Sequence, residues 1–201
     1  MSETLTYYMT SISPWTYFGG RLLPSMAKDA GADIDILPVN LGKVFAVTGG
    51  LPLGQRSQAR QDYRMVEIKR WRDHHGLAAA MNVEPSFFPT NPTLADRTII
   101  AAKQTGADAV GLSNAIMACV WEKDLNIGEA EVLQDTCNGF GLDGEALVAA
   151  ADGEAAVEQY AANTQNAIEV GMFGAPWYIY KSEPFWGQDR LPLLQAALDK
   201  G

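Results

Sequence analysis

The chain has 201 residues, 47% of them hydrophobic and 19% charged, and this composition can fill a protein core and excludes intrinsic disorder. Its net charge of −9 argues against nucleic acid and anionic membranes as partners, because both demand a basic surface. No run of about 18 apolar residues, no secretory signal and no metal-ligand spacing of Cys or His is evident. We therefore expect an intracellular, cytoplasmic protein without a metal site.

The first forty residues predict a β-α-β unit. Residues 5–9 are apolar and β-prone, which predicts a first strand. Ser13 followed by Pro14 is typical of a helix start, because serine caps the first turn and proline suits the first helical position. The helix is expected to end near Gly31, and residues 34–39 predict a second strand.

The rest of the chain is predicted to be mainly helical until a short final β segment. Residues 55–170 are rich in alanine, with apolar residues at helical spacing and glycines between them, and predict a series of short helices. Residues 177–180 and 184–186 predict a β-hairpin, and residues 189–199 predict an amphipathic terminal helix.

The initial β-α-β unit and the final β-β-α unit, joined in one sheet, are the layout of a thioredoxin-like fold with a helical insertion, so the predicted class is α/β. We expect residues 1–45 and 165–201 to form the thioredoxin-like domain. Residues 46–164 are expected to form the inserted all-helical domain.

Ser13 is the first candidate for chemistry. It lies at a strand-to-helix turn, where unpaired backbone N–H groups and the positive end of the helix stabilise an anion. A serine before a proline is also an ordinary helix cap, so the residue alone leaves both interpretations open.

Two segments near the C-terminus offer further candidates. Ala175 precedes Pro176, and a cis bond between them would expose the Ala175 N–H and C=O for pairing with a bound peptide. Asp189 is placed to cap a helix or to accept a ligand ammonium group, and Arg190 to meet a carboxylate. From the sequence alone, a trans bond before Pro176 and a helix-capping role for Asp189 are the commoner outcomes.

Basic residues are concentrated in one stretch, since seven of the fifteen Lys and Arg lie between positions 43 and 72. Arg56, Arg60 and Arg64 are spaced four apart, so on a helix they would form one cationic stripe. The stripe is either a solvated helix face or an anion pocket suited to small carboxylate ligands.

Six motifs occur in an order that is specific to one family: SISPWTYFGG, PVNLGKVFAVTGG, DYRMVEIKRW, FFPTNPTLADR, GMFGAPW and FWGQDRL. With them the chain resembles 2-hydroxychromene-2-carboxylate isomerases, which are related to kappa-class glutathione transferases in the thioredoxin superfamily. The resemblance covers essentially the full chain.

The resemblance implies that glutathione is the cofactor and that Ser13 is the catalytic serine. It implies a cis Pro176. The residues expected to contact glutathione are Ser13, Ala175, Pro176, Gln188, Asp189, Arg190 and Arg56. Ala175 would offer its backbone to the cysteinyl part, residues 188–190 would hold the γ-glutamyl end, and Arg56 would hold the glycyl carboxylate. Lys43 and Asn91 match positions near the substrate, with Lys43 as the cation for its carboxylate.

The activity that the resemblance implies is a glutathione-dependent isomerisation between 2-hydroxychromene-2-carboxylate and trans-o-hydroxybenzylidenepyruvate in aromatic catabolism, carried out by a homodimer on a small aromatic carboxylate. The alternatives are a kappa-like glutathione transferase that conjugates glutathione to small electrophiles, and a non-enzymatic thioredoxin-like binding module. Disulfide exchange is disfavoured, because no cysteine lies near the predicted helix start. Relatives commonly have Asn at the position of Gly50, so restoring it by Gly50→Asn is expected to tighten glutathione binding.

Overall fold

The computed structural model describes residues 3–200, and a four-stranded sheet lies at its centre. Strand β1 (Thr4–Met9) pairs in parallel with β2 (Asp33–Pro38) on one side. On its other side β1 pairs antiparallel with β3 (Trp177–Tyr180), which in turn pairs antiparallel with β4 (Glu183–Trp186). The two ends of the chain therefore build one sheet, as the α/β, thioredoxin-like prediction requires.

Nine α-helices accompany the sheet in residues 3–200. They are α1 (Pro14–Asp29), α2 (Leu41–Thr48), α3 (Gln58–His74), α4 (Thr93–Gln104), α5 (Ala109–Trp121), α6 (Ala130–Gly139), α7 (Gly144–Ala151), α8 (Glu154–Glu169) and α9 (Leu191–Leu198). None of these helices is both long enough and apolar enough to cross a membrane.

The elements predicted from the sequence are confirmed, with small differences at their ends. Ser13 is the N-cap of α1, and its side chain accepts a hydrogen bond from the Thr16 N–H, with Pro14 following as predicted. The terminal helix α9 is shorter than predicted, because a single 3₁₀ turn over Gln188–Arg190 precedes it.

The predicted division into domains stays a prediction. Its first boundary, at residue 46, lies inside α2, and its second, at residue 164, lies inside α8. One large core cluster also contains residues of both parts, including Tyr7 and Tyr178 from the sheet and Trp121 from α5.

Helix α1 approaches the sheet closely enough that two of its positions need glycine. A Cβ atom at Gly19 would overlap the hydroxyl group of Tyr178 on β3. A Cβ atom at Gly20 would lie 3.2 Å from the hydroxyl group of Tyr7 on β1, and 2.6 Å from Oδ1 of Asn114 on α5. The Tyr178 ring is itself held by stacking on Tyr7, with ring centroids 5.3 Å apart. The glycines therefore set the height of α1 above β1 and β3, and with it the position of the helix start.

We expect Gly19→Ala to lower the free energy of unfolding by about 1–3 kcal/mol, the usual cost of overpacking a filled core. Gly139→Ala is the matched control, because it also adds a methyl group to a helix but has nothing within 4 Å of the new atom. Alanine is the better helix former by about 1 kcal/mol, so the control should be neutral or slightly stabilised. Urea unfolding of the three proteins makes the comparison, and equal stabilities would show that α1 has room to move.

Candidate active site

A cavity of about 750 Å³ opens beside the start of α1. Its walls come from that helix start, one face of α2, one face of α3 and the segments before β3 and after β4, together with the connecting segments 49–56 and 88–90. Aromatic side chains form much of its apolar lining; they are Trp15, Phe45, Trp71, Phe88, Phe173 and Trp186. A cavity of this size and lining suits a small, partly aromatic ligand.

Ser13 lines this cavity at the N-terminal end of α1 and is 8% exposed. Its Oγ accepts the N–H of Thr16 at 3.2 Å, which leaves the hydroxyl hydrogen free to donate to a ligand. Its own N–H donates to the carbonyl oxygen of Thr10 at 3.2 Å, so the turn that carries Ser13 is closed by the backbone. A hydroxyl donor at the positive end of a 16-residue helix favours a negatively charged atom.

The Ala175–Pro176 bond is cis, as the resemblance implied, and Ala175 lines the cavity together with Ser13. The carbonyl oxygen of Pro176 accepts the N–H of Gly187 at 2.9 Å, which links this loop to the segment after β4. A second cis bond, Phe88–Pro89, lies in the cavity wall. This bond lies in the motif FFPTNPTLADR, but its cis geometry was not predicted from the sequence.

Asp189 and Arg190 form an ion pair at the cavity, with Oδ2 and Nη1 2.6 Å apart and both side chains about half exposed. Gln188 is oriented differently: it is 4% exposed, and its Oε1 lies 3.0 Å from Nε2 of His75. Gln188 therefore attaches the segment to the end of α3, while Asp189 and Arg190 offer one negative and one positive charge to a ligand.

Three arginines, Arg56, Arg60 and Arg64, also line the cavity, and we call them the arginine set. None of them takes part in an ion pair within residues 3–200, and the nearby carboxylate of Glu67 pairs with Arg70 instead. Arg56 lies just before α3 rather than on it, which corrects the predicted helical stripe, and its Nε donates to the Leu51 carbonyl oxygen at 2.8 Å.

The arginine set is electrostatically strained. Burial, followed by the charge of Arg56, lowers the pKa of Arg64 to about 10, and burial followed by the charge of Arg60 lowers the pKa of Arg56. The Arg64 guanidinium also lies over the Phe88 ring, 5.1 Å from its centroid. Binding of an anion relieves the repulsion between partly desolvated like charges, so this wall is suited to an anion.

The structure does not bring Lys43 or Asn91 to the cavity. Helix α2 turns Leu41, Phe45 and Thr48 to the cavity, at the spacing of one helix face, and Lys43 lies exposed on another face. The side chain of Asn91 closes a local turn, where its Oδ1 accepts the N–H of Thr93 at 3.0 Å.

Gly50 lines the cavity next to Phe45, and this contact bears on the expected effect of Gly50→Asn. A Cβ atom at position 50 would overlap the Phe45 ring. The tighter glutathione binding expected of Gly50→Asn therefore requires Phe45 to move first.

Both cysteines lie away from the cavity, buried in α5 and α6. The Cys119 Sγ is 3.1 Å from the Thr136 hydroxyl oxygen, and burial raises the pKa of Cys137 to about 11. A thiol that stays protonated and buried is a poor nucleophile, which agrees with the sequence-based argument against disulfide exchange.

One residue close to the site was missed by the sequence analysis. Asp96, on α4, is fully buried and accepts the N–H of Ser11 and the hydroxyl hydrogen of Thr10, both in the turn that carries Ser13. The signal in the sequence is a carboxylate in the first turn of a helix, within the motif FFPTNPTLADR.

Comparison with known proteins identifies relatives of nearly the full length. The sequence pattern of the family described as DSBA-like thioredoxin domain matches residues 4–199. The chain is similar to two curated proteins named 2-hydroxychromene-2-carboxylate isomerase. It is 27% identical to the one from Pseudomonas putida, over 96% of this chain and 93% of the other, and 26% identical to the one from Sphingobium xenophagum, over 98% and 99%.

A solved structure of a 2-hydroxychromene-2-carboxylate isomerase superposes with a TM-score of 0.82 at 25% identity, covering 98% of this chain and 95% of that one. These similarities confirm the resemblance and the thioredoxin-like fold that were inferred from the six motifs. The positions of the site residues in this chain come from its own structure.

We expect Gly50→Asn to lower the free energy of unfolding by about 1–3 kcal/mol, because the Phe45 ring must leave its place. In a Phe45→Ala background the same substitution should cost less than about 0.5 kcal/mol, since the obstacle is gone. Urea unfolding of the four proteins completes the cycle. An equal cost in both backgrounds would contradict the contact between residues 45 and 50.

Proposed function

The chain belongs to the DSBA-like thioredoxin domain family, and we propose that it is a glutathione-dependent 2-hydroxychromene-2-carboxylate isomerase. The observation that carries this proposal is the placement of Ser13: a serine hydroxyl with a free hydrogen, at the positive end of α1, in one cavity with cis Pro176 and two groups of charged side chains. Full-length similarity to proteins of that name supports the reaction class.

The charges of the cavity fit the charges of glutathione. Asp189 and Arg190 supply one anion and one cation for the ammonium and carboxylate of the γ-glutamyl end. Arg56 supplies a cation for the glycyl carboxylate, and the backbone of Ala175 is available to the cysteinyl part, as an added β-strand would use it. The side chain of Gln188 is already hydrogen-bonded to His75. Gln188 therefore contributes by holding Asp189 and Arg190 in position.

Ser13 is the residue that acts on the reacting atom. Glutathione, when bound, would supply a thiolate as the nucleophile for a conjugated substrate. The Ser13 hydroxyl would donate a hydrogen bond to that sulfur, and the positive end of α1 would lower the free energy of its negative charge. The Thr16 N–H holds the Ser13 oxygen, so the donor is oriented before the reaction.

The arginine set also supplies the cation for the substrate carboxylate, in place of Lys43. Arg60 and Arg64 extend from Arg56 along α3, and neither is used by a carboxylate within residues 3–200. Phe88, directly beneath the Arg64 guanidinium, offers a flat apolar surface for an aromatic ring. An aromatic carboxylate would satisfy both features at once.

Homodimer formation and a cytoplasmic location stay predictions.

The decisive experiment incubates the protein with 2-hydroxychromene-2-carboxylate, with and without glutathione. We expect trans-o-hydroxybenzylidenepyruvate to form only when glutathione is present, and glutathione to be recovered unchanged. Glutathione consumed into an adduct would identify a transferase. Glutathione binding by calorimetry without any turnover would identify a binding module.

In the same assay Ser13→Ala should lose about ten- to hundredfold in kcat/KM, because one hydrogen bond to a charged atom contributes about 1.5–3 kcal/mol. Its stability should fall by only about 1 kcal/mol, the usual value of a helix cap. Thr16→Val is the matched control: it removes a nearby buried hydroxyl that has no hydrogen-bond partner within residues 3–200 and keeps the Thr16 N–H. Full activity in Ser13→Ala would remove Ser13 from the mechanism.

For the substrate carboxylate, we expect Arg64→Met to raise KM for the chromene carboxylate about ten- to hundredfold, since it removes one charge-assisted interaction. Glutathione affinity, measured by calorimetry, should change little. Arg72→Met is the control, because Arg72 lies on the same helix and pairs with Asp73, and neither of these two residues lines the cavity. Weaker glutathione binding with an unchanged substrate KM would assign Arg64 to the cofactor instead.

A further inference from the structure

Asp96 is a buried carboxylate directly beneath the turn that carries Ser13. Its side chain is 0% exposed, and it accepts three hydrogen bonds. Oδ1 accepts the N–H of Ser11 at 2.8 Å, and Oδ2 accepts the hydroxyl groups of Thr10 at 3.0 Å and Tyr160 at 3.2 Å. Asp96 therefore joins three elements: the turn after β1, the start of α4, and the middle of α8.

The carboxyl group has hydrogen-bond donors but no cationic partner. No Lys, Arg or His nitrogen lies within 4 Å of it in the part of the chain that the structure describes. Burial raises the pKa of Asp96 to about 7, against the opposing effect of hydrogen bonds from Ser11, Thr10 and Tyr160. A buried carboxylate without a cation is costly for stability, which makes Asp96, beside the site, a candidate for a functional role.

The other charged and titratable groups near Asp96 are few. Tyr160 faces it from α8, and the charge of Asp96 helps burial to raise the pKa of that hydroxyl. Arg97 follows it on α4 but directs its guanidinium to Asp152, after α7. The turn after β1 contributes only Thr10 and Ser11, which are neutral. The ionisation of Asp96 is therefore the charge change closest to the turn.

We propose that Asp96 is a positioning residue, whose ionised carboxylate fixes the turn of residues 10–13 and thereby the Ser13 hydroxyl. The inference rests on the proposed function, because its effect is expressed through Ser13. The connection is short: Asp96 holds Thr10 and Ser11, and the Thr10 carbonyl oxygen accepts the Ser13 N–H at 3.2 Å.

The two charge states of Asp96 hold the turn differently. The carboxylate has lone pairs for all three donors at once. When Oδ2 is protonated, it donates to one of the two hydroxyl groups instead of accepting from it, and all the bonds lose the charge assistance of the carboxylate. The turn is therefore held by its strongest bonds only above the pH at which Asp96 ionises. Protonation loosens the Thr10 contact, and Ser13 with it.

The test compares kcat of the wild type and Asp96→Asn at saturating glutathione and substrate, from pH 5.5 to 8.5. Asparagine has the same size and stays neutral, so it resembles the protonated state throughout. The ratio of wild-type to variant kcat should be close to 1 at low pH and rise to about tenfold above pH 7, as expected for a slightly misplaced catalytic group. The bound thiol also titrates, and Ser13 favours its thiolate, so thiolate formation is followed in both proteins by its ultraviolet absorbance and kcat is compared per thiolate formed.

A double-mutant cycle shows whether Asp96 acts through Ser13. In a Ser13→Ala background, Asp96→Asn should change kcat by less than about twofold at any pH, because the group that Asp96 positions is absent. Tyr160→Phe is the matched control for the scaffold side: it removes a donor to Asp96 without touching the turn, so kcat at pH 8.5 should stay within about twofold of the wild type. The inflection in the pH dependence of kcat for Tyr160→Phe should move to higher pH. The reason is that a hydrogen bond that lowers the pKa of Asp96 is lost.

Stability measurements give a readout that needs no turnover. The pKa of Asp96 is raised from an ordinary 3.8 to about 7 in the folded protein, so the folded state holds this proton more tightly. Wild-type stability should therefore fall relative to Asp96→Asn as pH rises from about 4 to 7, and then level off. Should Asp96→Asn fail to fold, Thr10→Val removes the same contact to the turn and should lower kcat above pH 7.

A kcat ratio that does not change with pH, or equal losses with and without Ser13, would overturn the inference and leave the proposed function standing. A wild-type protein with no isomerase turnover would overturn the proposed function, and the inference with it.

Discussion

The turn between β1 and α1 is the constraint on which the site depends. It places the Ser13 hydroxyl at the positive end of a long helix, and that helix can lie over the sheet only because glycines occupy positions 19 and 20. The sheet in turn brings the cis-proline loop from the far end of the chain beside the same turn, because β3 pairs with β1. The anion-stabilising end of α1 is thus rigid before any ligand arrives, which is what preorganised catalysis requires.

The distribution of charge serves the same purpose. The protein has a net charge of −9, so carboxylates are available to pair with its cations. Arg70 pairs with Glu67, and Arg97 pairs with Asp152. The arginine set is left without such partners at the cavity wall, although burial and mutual repulsion disfavour it. Strain of this kind at a cavity is typical of a binding site, because an incoming anion relieves it.

The amino-acid sequence by itself determined the features whose causes are local. Ser13 caps α1 because a serine hydroxyl followed by proline suits a helix start wherever it occurs, and the strands follow from short apolar runs. The order of six motifs was sufficient to indicate the family and the cis bond before Pro176. Asp189 and Arg190 follow the β3–β4 hairpin directly in the sequence. The hairpin therefore places them beside the cavity.

Only the tertiary structure decided which charged residues reach the cavity. Lys43 was the cation expected from the sequence for the substrate carboxylate, but α2 turns a different face to the cavity, whereas α3 turns Arg64 to it. The ring of Phe45 next to Gly50 is likewise invisible until α2 is folded against the loop. The environment of Asp96 depends on a contact with Ser11, 85 residues away along the chain. Burial and electrostatic interaction act through space, so residues that are distant in sequence set each other's charge only after the chain has folded.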